Sequence, residues 1–133
     1  MKILVDTHYL IWMFVAPEKI SQTIRDILTS VEHQVFYSPI SLWEIAIKYN
    51  LGKLSLVGMS PNEFYLEIEK SFLKPLMPTA QEFASFYLLP IKHKDPFDRL
   101  LIWQCIQQKD VWFLSVDGAI QQYTQEGLKV LTK

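Results

Sequence analysis

The chain has 133 residues, half of them hydrophobic and 14% aromatic, which suits one domain with a sizeable core and excludes disorder. Thirteen Lys and Arg against fourteen Asp and Glu leave a formal net charge of −1, which excludes a generally basic nucleic-acid-coating protein and leaves room for a local basic rim. The lone cysteine, Cys105, lies in an apolar helical pattern and reads as a small buried hydrophobe; the longest uncharged stretches, 7–17 and 33–43, are 11 residues each, short of the roughly 20 needed to cross a bilayer.

Residues 2–6 are a short apolar run expected as a buried parallel strand. Asp6 at its end, and the lack of a small-residue cleavage pattern, argue against a signal peptide, so a cytoplasmic protein without a membrane role is expected. Helical sequence covers Thr7–Val15 and stops near Pro17. A second helix starts near Ser21, with Ile24, Ile27, Leu28 and Val31 at one-face spacing. Gln34–Tyr37 reads as a strand. Ser38-Pro39 then supplies a cap and a first-turn proline for a helix that Gly52 suits at its far end; this helix carries Trp43, Glu44, Ile47 and Lys48.

Pro61 opens a helix expected to reach about Phe72, and Pro75–Pro78 reads as extended. Thr79-Ala80-Gln81-Glu82 is a capping box for a helix ending by Pro90. Asp95-Pro96 caps another, from Phe97 to about Gln108. Val111–Val116 is a strand, Asp117–Tyr123 a short helix and Leu128–Leu131 a final strand. Alternating strands and helices predict an α/β sheet covered on both faces, with ligands beyond the carboxyl ends of its strands. Periodicity leaves the strand order open.

Four acids interrupt apolar segments: Asp6 after Ile3-Leu4-Val5, Glu44 within Ile40–Ile47, Asp98 before Leu100–Trp103, and Asp117 after Trp112–Val116. Buried carboxylates cost free energy unless paired, protonated or bound to a cation. Each has an ordinary explanation. Asp6 and Asp117 suit helix caps, Glu44 pairs with Lys48 at i,i+4, and Asp98 complements a helix dipole. Those explanations do not cover four acids at separate strand–helix junctions of one small sheet. Convergence on a hard cation does, because Mg²⁺ takes carboxylate oxygen and water.

These residues also carry a resemblance. Ile3-Leu4-Val5-Asp6-Thr7-His8, Ser41-Leu42-Trp43-Glu44-Ile45-Ala46-Ile47-Lys48 with Gly52-Lys53-Leu54, His93-Lys94-Asp95-Pro96-Phe97-Asp98-Arg99-Leu100-Leu101-Ile102, and Ser115-Val116-Asp117 follow one another as in the PIN-domain ribonucleases. Within them the chain resembles the VapC-like toxins of bacterial and archaeal toxin–antitoxin pairs. The resemblance implies one PIN domain over residues 1–133, an α/β/α sandwich around a central parallel sheet. It also implies a Mg²⁺- or Mn²⁺-dependent endoribonuclease with Asp6, Glu44, Asp98 and Asp117 as catalytic and metal-binding acids, an RNA substrate, a cognate antitoxin and a homodimer. Trp103 and Cys105 stand where related toxins often have small residues.

Thr7 and Ser115 are expected to hydrogen-bond the carboxylates. Lys48, Lys92, Lys94 and Arg99 are candidates for a rim that meets RNA phosphates, with Arg99 alternatively pairing with Asp95 or Asp98. His8, His33 and His93 are scattered and carry no ligand or base assignment; His93, between Lys92 and Lys94, is expected on the same rim. Trp12, Phe14, Trp43 and Phe97 fall in apolar helical patterns and are expected in the core. The alternatives are a non-catalytic PIN-like binding module and a receiver-like phosphoacceptor. The latter expects an acidic pair after the first strand, where this chain has Asp6-Thr7-His8.

Overall fold

Ile3, Leu4 and Val5 are wholly buried, and their alternation divides the molecule into two cores. The computed structural model describes residues 1–131. Its strands are β1 (Lys2–Val5), β2 (Gln34–Tyr37), β3 (Lys74–Pro75), β4 (Val111–Leu114) and β5 (Lys129–Val130). They form one parallel sheet in the order β3-β2-β1-β4-β5, with Ile3 opposite Val35 on one side and Trp112 on the other. Its helices are α1 (Thr7–Val15), α2 (Gln22–Thr29), α3 (Pro39–Asn50), α4 (Pro61–Glu69), α5 (Ala80–Ser85) and α6 (Pro96–Gln107).

Ile3 and Val5 face a core completed by Tyr9 and Leu10 of α1, Ile24 and Leu28 of α2, Ile45 of α3, and Phe64 and Ile68 of α4. Leu4 faces the other, with Leu101 and Ile102 of α6, Phe113, Ile120 and Tyr123. Helices thus cover both faces, giving the α/β/α sandwich expected from the alternation. Cys105 is buried in the second core, where burial pushes its thiol pKa up.

Side chains that satisfy first-turn N–H groups start the helices: Asp6, Ser21, Ser38, Ser60, Thr79 and Asp95 cap α1 to α6 in turn. Asp117 caps a tighter 3₁₀ helix over Gly118–Glu126, longer than the short helix expected at Asp117–Tyr123. Gly127, at φ +102°, ends it in a left-handed conformation that costs other residues energy.

Several expectations shift at element ends. Val31 lies beyond the Ser30 C-cap of α2 and is fully exposed instead of joining the buried face. Helix α4 stops at Glu69, leaving Phe72 outside it and exposed. The extended piece expected at Pro75–Pro78 pairs only over Lys74–Pro75, where proline limits the ladder, although Leu76 N–H still donates to Tyr37 O at 2.8 Å.

From β1 the chain turns into α1 on one face; from β4 it turns into the 3₁₀ helix on the other. The carboxyl ends of these adjacent strands therefore open a crevice at a topological switch point. Asp6 N–H still donates to Leu114 O at 2.9 Å, holding the two ends together.

Candidate functional site

Asp6 is 2% exposed and both its oxygens accept main-chain donors. Tyr9 N–H donates to Oδ1 at 2.8 Å and Val116 N–H to Oδ2 at 3.1 Å. The carboxylate that caps α1 therefore also staples the loop after β4 across the crevice. Burial raises its pKa, opposed by the Tyr9 amide, the Ser115 hydroxyl, the Val116 amide and the charge of His8.

The neighbouring Thr7 reaches into α3. Its Oγ1 lies 2.7 Å from Glu44 Oε1 and 2.9 Å from Ser41 Oγ, both buried contacts. An ionised carboxylate only accepts, so Thr7 donates to Glu44 and accepts from Ser41. Glu44 Oε2 takes Lys48, one turn along α3. Desolvation works against the Lys48 ammonium, but Glu44, then Asp95 and Asp98, outweigh it and raise its pKa. The i,i+4 pair read from the sequence is present, and it sits inside the acidic group.

Asp98 is different. It lies in the first turn of α6, where the helix dipole favours a carboxylate modestly. Burial, then the charges of Asp95, Glu44 and Asp6, push its pKa up to about 7. Its one ion-pair contact among the described residues is His93 Nε2, 3.5 Å from Oδ2. The acids thus converge closely enough to oppose one another's ionisation.

His93, expected on a basic rim, turns inward. Asp95 N–H donates to His93 Nδ1 at 3.0 Å, so in the neutral ring the proton sits on Nε2 and is donated to Asp117 Oδ2 at 2.6 Å. Asp117 Oδ1 accepts from Ala119 N–H at 2.9 Å, and that bond, then His93, lowers the Asp117 pKa. Ser115 Oγ accepts from Asp117 N–H at 3.1 Å. His93, Asp98 and Asp117 present donor atoms within 4.8 Å of one another. In the tautomer set by Asp95, however, His93 offers this cluster a proton and not a lone pair. The lone pairs available to a cation belong to the carboxylates.

The basic candidates divide. Lys48 stands at the acids and Lys94 is exposed beside His93. The Lys92 ammonium is taken by Glu126 at 2.8 Å and by Gln122 O at 3.1 Å. Arg99 pairs with neither Asp95 nor Asp98; its guanidinium lies over the Phe86 ring at 4.8 Å. Trp43, expected in the core, is 57% exposed. A concavity of about 430 Å³ lies toward the amino ends of the strands, lined by Leu28, Val31, Val35 and Phe72 among others, and contains none of the acids.

Asp6 after β1, Glu44 on α3, Asp98 on α6 and Asp117 after β4 therefore border one crevice at the carboxyl edge of the sheet. The PIN domain family model matches residues 3–125. The chain belongs to the PIN-domain family. Among solved structures, this PIN domain is similar to a chain of the crystal structure of VapBC2 from Rickettsia felis bound to a DNA fragment from their promoter. That similarity has a TM-score of 0.67 and 14% identity, and covers 98% of each chain. At that identity the likeness is one of fold. No curated protein matches this PIN domain in sequence.

Proposed function

We propose that this PIN domain is a divalent-metal-dependent endoribonuclease, the toxin of a VapC-like toxin–antitoxin pair acting in the cytoplasm. The observation that carries the reading is the convergence of carboxylates at the crevice: Asp98 and Asp117 present oxygens within 4.8 Å of one another, and burial with the charges of Asp95, Glu44 and Asp6 pushes the Asp98 pKa up to about 7. Such a cluster is unfavourable as it stands and favourable around a dication. Its carboxylate donors suit Mg²⁺ or Mn²⁺ better than a soft metal.

Asp6, Asp98 and Asp117 would hold the ion, with Glu44 facing it from α3. When bound, the metal would neutralise charge on a scissile phosphate and activate water for in-line attack, leaving a 5′-phosphate and a 3′-hydroxyl. The protein's own groups keep the acids in place. Tyr9 and Val116 amides fix Asp6, the Thr7 hydroxyl orients Glu44, and His93 with Ala119 orients Asp117. Ser115 lies between Asp6 and Asp117 and supports both. Lys48 and Lys94 border the acids where RNA phosphates would approach, which predicts binding that weakens as salt rises.

The toxin assignment further implies a cognate antitoxin that masks this crevice and a homodimer. Incubation of single-stranded RNA with the purified protein, with Mg²⁺ or Mn²⁺ and then with EDTA, tests the chemistry. Cleavage that requires the metal and falls on the order of 10²–10³-fold in Asp98→Asn is expected. Cleavage unaffected by EDTA, or retained at full rate in Asp98→Asn, contradicts the proposal.

A further inference from the structure

Trp43 has no structural reason to be bare. Its helix is apolar in pattern, yet the indole is 57% exposed and makes one aromatic contact, edge-on with Phe97, at 5.3 Å between centroids and 75° between planes. An edge-on contact covers at most one ring face. The neighbour three residues on is Ala46, exposed and too small to cover the indole. Trp43 immediately precedes Glu44, and Phe97 immediately precedes Asp98, so the pair sits where α3 and α6 bring their acids together. Lys48, within reach of the Asp95 and Asp98 charges, supplies a cation at the same junction.

We propose that Trp43, braced by Phe97, is a stacking platform for an unpaired base of an RNA strand whose adjoining phosphate enters the acid crevice. The proposal rests on the ribonuclease reading and deepens it by naming a residue that positions the strand. Stacking on an indole needs no base-specific hydrogen bond, so the platform holds the strand without selecting a sequence. Lys48 and the acids whose charges it feels lie at the same α3–α6 junction, which suits a base on a charged chain better than the continuous apolar centre of a protein interface.

The test compares wild type, Trp43→Phe and Trp43→Ala on a single-stranded RNA oligonucleotide, intact or with one abasic nucleotide beside the cleaved bond. Cleavage in Mg²⁺ gives KM and kcat; tryptophan quenching by the oligonucleotide, with Ca²⁺ in place of Mg²⁺, gives binding. Trp43→Ala is expected to raise KM roughly 5- to 150-fold, the range for one lost stacked base. Trp43→Phe should keep most of the affinity while losing the quench. The abasic nucleotide should raise the KM of wild type and leave that of Trp43→Ala unchanged. A wild-type KM in Trp43→Ala overturns the platform and leaves the nuclease intact, as does a change confined to self-association in sedimentation, which would assign Trp43 to a protein contact. Trp43-dependent quenching without any cleavage would instead break the nuclease reading and support the platform.

Discussion

The two sides of the crevice hold their acids by different means. On the β1–β4 side, Asp6 and Asp117 are helix caps whose oxygens are met by Tyr9, Val116 and Ala119 amides and by His93. The fold holds both carboxylates in place, and the Asp117 pKa is lowered, although burial still raises that of Asp6. On the α3–α6 side, Asp98 faces Asp95, Glu44 and Asp6, with His93 at 3.5 Å as its one ion-pair contact. One side is built into the scaffold and the other is left electrostatically incomplete. Capping and metal binding are therefore not rival explanations for Asp6, since each carboxylate oxygen retains a second lone pair. The fold uses the cap to aim the ligand.

If that contrast is right, removing an acid has opposite consequences on the two sides. Asp98→Ala should lower the cleavage rate on the order of 10²–10³-fold, as for loss of one strong electrostatic contact to a transition state, with melting temperature held or raised in EDTA. A variant that cuts RNA at the wild-type rate removes Asp98 from the centre of the site. Metal should act through the incomplete side as well. At a hundredfold excess over its dissociation constant, Mg²⁺ or Mn²⁺ adds about 2.7 kcal/mol, a rise in melting temperature of roughly 10 °C. Asp98→Asn should lose most of that rise; an equal rise in wild type and variant would place the ion elsewhere.

Asp6→Ala sharpens the comparison from the scaffold side. It deletes a cap and orphans the Val116 amide, and should destabilise the metal-free protein by roughly 1–3 kcal/mol. Asp6→Asn keeps an acceptor for the cap and should abolish cleavage while recovering most of that stability. Urea unfolding in EDTA separates the two variants. Equal stability for both would mean that the cap contributes nothing.

What the sequence disclosed follows the same division. Caps and strand ends are local, so Asp6, Ser38, Thr79, Asp95 and Asp117 could be read from their neighbours, and the strand-to-helix order followed. His93 could not. It sits in a Lys-His-Lys run that looks like a solvated loop, and its inward turn depends on Tyr123, whose hydroxyl accepts the Lys92 and His93 amides from 30 residues away and donates to Pro90 O. Lys92 and Arg99 were drawn from the expected rim by Glu126 and Phe86, partners that only the packed fold supplies. Trp43 escaped because α3 is covered on two sides, by Ile40 in one core and Ile45 in the other. A helix sharing itself between two cores gives an apolar pattern even at a position it leaves bare.

The smallest expected effect is on pH. The Asp98 carboxyl moves from an ordinary 3.8 to about 7 in the metal-free fold, so between those values the native state holds the proton more tightly than the unfolded chain. Its contribution to stability is complete below the unfolded value and is lost as pH rises through 7. The Asp117 shift has the opposite sign, contributing stability above its unfolded pKa that is lost as pH falls through its lowered value. With solvent screening discounted, raising the pH from 5 to 8 in EDTA should cost wild type on the order of 1 kcal/mol more than Asp98→Asn, which has no proton to lose. Saturating Mg²⁺ should abolish the difference in slope, because a cation beside Asp98 favours the ionised form. A pH profile identical for wild type and Asp98→Asn without metal would show that the α3–α6 side is as well compensated as its neighbour across the crevice, and the contrast between them would fail.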